Sequence, residues 1–448
     1  MMNTFQGRDK INQIMDRLFG TDGIRGVAGE YPLNQVGCVQ IGKAIGKYFA
    51  STNDTIVIGY DPRESSVDIS SWVIEGLNAV GVNTVVVGII PTPGLAYLTR
   101  TMDVVAGVMI TASHNPFSDN GIKVFDKNGG KLPDDTEDKL NDLINSEIPS
   151  LENTGVSSTI SERVSDYEDY LVKSSNVDFS GTKILLDSAN GATSKLAGRV
   201  FTRLGFVVET IFDAPDGKNI NEGCGATDIK KLSELVKSGS YDAGAAFDGD
   251  GDRLIMVDEL GRELDGDTLM YVLAVSNNHK QVVATVMSNK GFENSLESKG
   301  IKLKRTAVGD RYVLEGLEQT GAKLGGEQSG HIVLPDLATT GDGLLAAIQV
   351  MSAIATTQKK LSIWKDEVKL LPQATVNIKL QNKKLLDLDK VKKFIANQEE
   401  IIGAEGRLLI RPSGTEPKVR VMVEADGASD KAEKIASELE LILKEVQK

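Results

Sequence analysis

The stretch DGDGDR, residues 248–253, sets Asp248, Asp250 and Asp252 at alternate positions with glycines between them. In an extended segment, residues two apart share a face, so three carboxylates can converge while the glycines let the backbone curl around a cation. Ligation by oxygen alone suits Mg²⁺ or another hard divalent ion. A calcium loop is the competing reading, with Glu259 at its twelfth position. It needs glycine where Arg253 stands, and the flanks read as strands rather than helices. A solvated acidic turn is the plainer alternative, opposed by the repulsion between unshielded carboxylates.

A second concentration of chemistry lies in RPSGTEPKVR, residues 411–420, where Arg411, Ser413, Gly414, Thr415 and Arg420 surround a turn. Hydroxyls, free backbone N–H groups and two guanidiniums make an anion pocket, although an exposed polar hairpin has the same composition. GEQSGH, residues 326–331, offers Glu327, Ser329 and His331, which share one side if the segment is extended. An acceptor, a hydroxyl and an imidazole suit a polyhydroxyl ligand or a proton transfer; a structural histidine is the alternative. Of the three histidines, His114, His279 and His331, two stand in these unusual loops. GTDGIRG (20–26) brings in Arg25, and NGIKVF (120–125) brings in Lys123. Each is either a routine surface charge or a group that neutralises charge or moves a proton beside a transferring phosphoryl group.

Ser113 stands in VVAGVMITASHNPFSDNGIKVF, residues 104–125. A hydrolase reading needs a base that reaches the hydroxyl in a set geometry, for which the adjacent His114 is poorly placed, and the stretch lacks a G-x-S-x-G elbow. A turn or cap role is open to any serine in S-H-N-P. A metal loop, a phosphate pocket and a hydroxyl-reading loop together suggest instead a serine that carries a phosphoryl group. His114 is then left to orient the loop or contact the phosphate.

The elements that must position these loops recur three times. TIVIGYDPR (55–63), TKILLDSANGA (182–192) and QVVATVMSNKG (281–291) each read as a buried strand entering a polar turn. A helix-length segment and a second strand follow each. A third strand then leads into the TASHNP, DGDGDR and GEQSGH loops. Such units imply mixed or mostly parallel sheets covered by helices, with ligands beyond the carboxyl ends of the strands. A strong helix then begins near residue 343, capped by Asp342 or Thr340. From about residue 370 an alternating, Lys-rich texture and a closing amphipathic helix mark a smaller α+β domain.

At 448 residues the chain exceeds one hydrophobic core, so about two to four domains are expected. Hydrophobic residues at 40% and charged residues at 25% describe a globular protein rather than a disordered one. A formal charge of -13 argues against nucleic-acid and anionic-membrane binding. Cys38 and Cys224 match no zinc or redox spacing, and the N-terminus lacks a signal-peptide core. There is no apolar run of the roughly 18 residues a membrane helix needs. The expectation is a cytoplasmic protein with no nucleic-acid or membrane partner.

Taken in order, GTDGIRG, TASHNP, DGDGDR, GEQSGH and RPSGTEP closely resemble the signature loops of the α-D-phosphohexomutase superfamily, from about Leu18 to the C-terminus. Gln328, where the glucose and mannose enzymes typically carry Met, and AVGDRYV (307–313) resemble the branch that interconverts glucosamine 6-phosphate and glucosamine 1-phosphate. The resemblance implies an α/β fold of three related domains with mixed sheets plus a C-terminal α+β domain around a central cleft. Its divisions are an N-terminal extension (1–14) of no assigned function, a phosphoserine domain (15–165), a metal domain (166–263), a sugar domain (264–370) and a phosphate domain (371–448). It implies an isomerase acting through phosphoserine at Ser113 and a 1,6-bisphosphate intermediate, on the way to UDP-N-acetylglucosamine and cell-wall precursors. One Mg²⁺ would be held by Asp248, Asp250, Asp252 and a phosphoserine oxygen, and a sugar 1,6-bisphosphate or other phosphoryl donor would activate the enzyme. Arg253 would lie by the reacting phosphate, Glu327 and Ser329 would bind sugar hydroxyls, and the loop from Arg411 to Arg420 would grip the other phosphate. Lys123, His331 and Arg25 would share proton transfer and charge stabilisation. A homodimer is one assembly compatible with the sequence. Rival readings are a phosphomannomutase or phosphoglucomutase of the same superfamily, a metal-dependent sugar phosphatase using an Asp of DGDGDR, and a non-catalytic sugar-phosphate binding protein.

Overall fold

The computed structural model describes residues 17–20, 22–403, 406–412 and 417–446. The N-terminal extension 1–14 and the candidates Ser413, Gly414 and Thr415 lie outside the described residues. The chain divides into two compact units, one from 1–287 with 303–365 and one from 288–302 with 366–448.

The expected strand repeat occurs three times, in three separate sheets. The first strands are Thr55–Tyr60, Lys183–Asp187 and Gln281–Thr285, and the second strands are Asn83–Ile89, Val207–Ile211 and Lys302–Thr306. The third strands are Ala106–Ile110, Ala243–Phe247 and Gly325–Gly326, and each is followed by an antiparallel fourth, Asp119–Asp126, Leu254–Asp258 or Ile332–Val333. Every sheet has the same spatial order, fourth–third–first–second, with the third strand parallel to the first. The first sheet is widened to seven strands by Phe19–Gly20, Gly23–Val27 and Ser157–Thr159. Because the chain leaves the first strand toward one side and returns to the other, a crevice opens at the carboxyl ends of the first and third strands.

The apolar run TIVIGY forms a central strand because both of its faces are covered. Ile56 and Ile58 join Ile41, Ile45, Val73, Val108 and Ile110 on one side, whereas Val57 joins Leu95, Leu98 and Met109 on the other. Each such side chain contributes about 1.5–3 kcal/mol. Helix Gln35–Phe49 on the first face starts where the Asn34 side chain accepts from Gly37 N–H at 3.0 Å. Smaller clusters serve the other sheets, around Leu185, Leu232 and Val257 in the second and around Val283, Val313 and Val333 in the third.

Of the two candidate caps for helix Gly343–Thr357, Asp342 is the one used: its Oδ1 accepts from Leu345 N–H at 2.9 Å, whereas the Thr340 hydroxyl is buried without a partner. The other oxygen of Asp342 accepts from Tyr167 Oη–H at 2.9 Å.

The second unit contains a three-stranded antiparallel sheet with Lys418–Glu424 between Gln373–Lys379 and Arg407–Pro412. Val419, Val421 and Val423 face a core shared with Val391 and with Leu439 of helix Ala428–Val446. This is the smaller α+β element expected from the alternating texture. No helix among the described residues is long and apolar enough to cross a membrane.

Removing the Asp342 carboxylate strands both a helix N–H and a buried phenol. Asp342→Ala is expected to lower stability by about 1–3 kcal/mol, read as a fall in the thermal or denaturant midpoint.

Candidate active site

All three unusual loops of the first unit join a third strand to a fourth, at the carboxyl end of the third. The first loop, 111–118, is led in by the fully buried strand Ala106–Ile110. It places Ser113 at φ +53°, in the left-handed region that a serine seldom adopts. Ser113 Oγ donates to Asp248 Oδ2 at 2.6 Å, a contact between two repeats, and lies 3.3 Å from His114 Nδ1. Ser113 N–H donates to Thr111 Oγ1 at 2.9 Å.

The DGDGDR segment is not extended. Phe247 pairs with Leu254 across a hairpin, so residues 248–253 form its loop and the carboxylates converge because the chain turns. Gly251 takes φ +71° and donates its N–H to Asp248 O at 3.0 Å, and a Cβ at Gly249 would stand 2.6 Å from Ser113 O. Asp248, Asp250 and Asp252 are all buried and each offers an oxygen within 4.8 Å of the others. Their second contacts aim them. Asp250 Oδ2 accepts from Thr92 Oγ1 at 2.6 Å and from Lys123 Nζ at 2.9 Å. Asp252 Oδ2 lies 3.4 Å from Lys123 Nζ and 3.6 Å from His331 Nδ1. Asp250 Oδ1 and Asp252 Oδ1 are left buried with no hydrogen bond. Two orphaned, buried carboxylate oxygens beside a third acid fit a hard divalent cation.

Electrostatics follow from this crowding. Burial, and then the Asp252 and Asp250 charges, push the Asp248 carboxyl well above the usual range. Burial also acts upward on Asp252, but Lys123 and then His331 outweigh it and hold that carboxyl well below the usual range. For Lys123 burial favours the neutral amine, yet Asp22, Asp250 and Asp252 together hold its pKa well above the ordinary lysine value. Burial likewise opposes charge on His331, and Asp252 raises it. His331 Nε2 accepts from Gly341 N–H at 3.2 Å, which leaves the Nδ1–H facing Asp252.

The structure therefore brings together Ser113, Lys123, Asp248, Asp250, Asp252 and His331. Arg25 reaches the same loop through Asn115, with Nη1 3.5 Å from its Oδ1, while its Nη2 donates to Asp22 Oδ2 at 2.6 Å. Arg253 N–H donates to Asp248 Oδ1 at 3.1 Å, and its Nε is buried without a hydrogen bond, 4.0 Å from Asp252 Oδ1. GEQSGH does not present Glu327, Ser329 and His331 on one side. The segment closes a hairpin through Glu327 N–H to His331 O at 2.9 Å, so His331 points inward to Asp252 while Ser329 is exposed. Glu327 is half-buried and accepts from Gly309 N–H at 3.2 Å and from Ser329 Oγ at 3.4 Å. In the second unit Arg411 and Arg420 stand opposite one another on paired strands, and burial followed by the Arg420 charge lowers the Arg411 pKa.

Several residues of the site went unread in the sequence. Asp22 accepts from Arg25, from Lys123 at 2.8 Å and from Lys131 at 2.5 Å, and Lys131 also binds Asp310. Asp22 and Asp310 lie inside GTDGIRG and AVGDRYV, so their motifs were visible but not their partners. Arg63, fully buried, spends its Nε on Asp61 at 2.8 Å and its other donors on the carbonyls of Ser113, Asn115, Pro116 and Asp119. A charged pair directly after the strand Thr55–Tyr60 was the available signal. Thr92 and Asn221 carried none, because only their position in space makes them part of the site.

Comparison with known proteins agrees with this fold. Models of phosphoglucomutase/phosphomannomutase α/β/α domains I, II and III match residues 16–150, 165–261 and 265–370, and the C-terminal domain model of the same family matches 376–442. The chain belongs to the phosphoglucomutase/phosphomannomutase family, within the α-D-phosphohexomutase superfamily. It is 45% identical over 427 residues to the phosphoglucosamine mutase of Bacillus cytotoxicus, covering 92% of this chain and 95% of that one. It is also 45% identical over 429 residues to that of Bacillus cereus, again with 92% and 95% covered. The crystal structure of a phosphoglucomutase/phosphomannomutase family protein from Burkholderia thailandensis superposes with a TM-score of 0.82 at 25% identity, covering 96% of this chain and 98% of that one. As a phosphohexomutase the chain is an isomerase that relocates a phosphoryl group on a small sugar phosphate. Its four family domains match the three mixed sheets and the small antiparallel one.

His114 offers a test of the electrostatics. Burial, then Arg253 and Arg25, lower its pKa from 6.5 to about 4. Below its unfolded value the folded state resists protonation of this ring, so its contribution to stability is present above pH 6.5 and is lost as pH falls toward 4. An NMR titration of the three imidazoles is expected to show His114 neutral through pH 5, the region where an unperturbed histidine charges.

Proposed function

We propose that this phosphohexomutase interconverts glucosamine 6-phosphate and glucosamine 1-phosphate through a phosphoserine at Ser113, supplying UDP-N-acetylglucosamine for cell-wall precursors in the cytoplasm. The observation that carries the reading is the 2.6 Å hydrogen bond from Ser113 Oγ to Asp248 within the buried carboxylate cluster. The amino-sugar preference is supported by the 45% identical relatives that bear the name phosphoglucosamine mutase. A more distant solved relative of the same fold, the Aspergillus fumigatus N-acetylphosphoglucosamine mutase, was crystallised with GlcNAc-6P and magnesium.

The chemistry assigned to each residue follows from its surroundings. Asp248, Asp250 and Asp252 would hold Mg²⁺, which supplies electrostatic stabilisation of the charge on the transferring phosphoryl group. Phosphoserine donates its phosphoryl group to the free hydroxyl of the sugar phosphate, so the Ser113 O–P bond breaks as a sugar O–P bond forms. The resulting 1,6-bisphosphate turns end over end and returns its other phosphoryl group to Ser113. A sugar 1,6-bisphosphate would also prime an enzyme whose serine is bare. Lys123 stays an ammonium among its acids, so it contributes positive charge and can deliver a proton to a departing oxygen. His331, oriented by Gly341 and Asp252, is the partner group for proton transfer, and Arg25 and Arg253 contribute charge near the phosphate. Glu327 and Ser329 would bind sugar hydroxyls. Arg411 and Arg420, with Ser413, Gly414 and Thr415, would bind the phosphate that does not react. The corresponding division is 15–165, 166–263, 264–370 and 371–448, each of the first three containing one repeat and its loop.

Intact mass and phosphosite mapping before and after exposure to glucosamine 1,6-bisphosphate test the central claim. A single phosphate at Ser113 is expected, with none in Ser113→Ala and mutase activity at least about 10³-fold lower. A fully active Ser113→Ala would exclude the phosphoserine route, and release of inorganic phosphate without a serine adduct would indicate a phosphatase. Turnover compared among glucosamine, glucose and mannose phosphates separates this reading from a phosphomannomutase or phosphoglucomutase. Added Mg²⁺ is expected to raise the thermal midpoint, by the equivalent of about 2.7 kcal/mol at a hundredfold excess over Kd. Asp250→Asn is expected to reduce that shift.

A further inference from the structure

The carbonyl oxygens of Ser113 and Asn115 are each held from two directions. Arg63 Nη2 donates to Ser113 O at 2.8 Å and to Asn115 O at 2.9 Å. Asn221 Nδ2, from the second repeat, donates to the same two oxygens at 3.0 and 3.3 Å. Two facing carbonyls fix which end of the Asn221 amide points at the loop, since an oxygen there would repel both. Asn221 is itself set by its own N–H, which donates to Ala189 O at 2.9 Å, and by a left-handed φ of +59°. Arg63 is set by Asp61, whose carboxylate also accepts from Ser66 Oγ at 2.9 Å and Thr111 Oγ1 at 2.7 Å.

From this arrangement we propose that Asn221, acting with Arg63, is a positioning residue for phosphoryl transfer: it pins the Ser113 and Asn115 carbonyls from the neighbouring repeat so that Ser113 Oγ is presented to the metal loop. The inference rests on the phosphoserine reading of Ser113. Ser113 is in an unfavourable backbone region that persists only when its surroundings over-determine it, and Arg63 alone fixes the loop only to its own repeat. Asn221 references the loop to the repeat that carries Asp248. That is the registration a serine needs if it must both give and take a phosphoryl group from one place. Asn221 is not among the residues proposed to bind substrate phosphate or sugar hydroxyls, so loss of the clamp is read in the transfer step.

Asn221→Gly removes the amide while tolerating the left-handed backbone. Three readings are taken on the full-length, Mg²⁺-loaded protein: phosphate uptake at Ser113 from glucosamine 1,6-bisphosphate in a single turnover, steady-state kcat and KM, and the thermal midpoint. Uptake and kcat are expected to fall together by about 10- to 100-fold, with KM changed by less than about twofold and the midpoint nearly unmoved. Asn221→Asp, which keeps the shape but offers acceptors to two carbonyls, is expected to be at least as slow. Wild-type uptake in either variant would overturn the inference, as would a loss of activity matched by a lower midpoint and a raised KM, which marks a merely structural role. If the unmodified protein takes no phosphate at Ser113, the phosphoserine reading itself falls and this inference with it; a normal unmodified protein beside a normal Asn221→Gly overturns the clamp alone.

Discussion

Three carboxylates buried within 4.8 Å of one another are the constraint on which the rest of the first unit depends. Like charges in a low-dielectric interior must be neutralised, by a proton, a metal or a fixed cation. The protein-borne part of that compensation is an alternation of charge closed by an imidazole. Asp252 faces Lys123, Lys123 faces Asp22, Asp22 faces Lys131, Lys131 faces Asp310, Asp310 lies 3.7 Å from His331, and His331 returns to Asp252. Every member is buried or nearly so, which makes each dependent on its neighbours, since removal of one leaves another charge unpaired at a cost of about 3–5 kcal/mol.

That alternation draws on all three repeats. Asp22, Lys123 and Lys131 come from the first, Asp252 from the second, and Asp310 and His331 from the third. The third-to-fourth-strand loops of the first two repeats meet directly at the Ser113–Asp248 hydrogen bond, and the third enters through His331. One strand order used three times accounts for this, because it delivers each such loop to the carboxyl end of its sheet. Divergent loops on a repeated scaffold then supply the serine of the first loop, the three carboxylates of the second and the inward-facing histidine of the third.

Ser113 shows how local strain and global packing are balanced. A left-handed backbone costs a non-glycine residue about 1–2 kcal/mol. Arg63 answers that cost with all five of its N–H groups, one on Asp61 and the rest on carbonyls of residues 113–119. Arg63 went unread as a site residue because, although the charged pair after the strand was visible, nothing in IGYDPR indicates where a buried guanidinium will point. Arginine suits the task because its planar fork fixes several donors at once, whereas a lysine has three donors on one atom.

The strands, their threefold recurrence and the loops that hold the reactive groups were all legible in the sequence, because burial on both faces writes continuous apolar runs such as TIVIGY and because turn chemistry is local. So were the donor types of the site: three acids spaced by glycine, a serine in S-H-N-P, and a lysine ten residues beyond it. How those groups are aimed was decided only by the tertiary structure. DGDGDR converges through a hairpin turn rather than an extended face, and GEQSGH sends His331 inward and Ser329 outward. Thr92 and Asn221 join the site solely through contacts 158 and 108 residues away. Composition and spacing record which groups a chain owns, but hydrogen bonds and ion pairs depend on distances between segments, and those exist only once the sheets have packed.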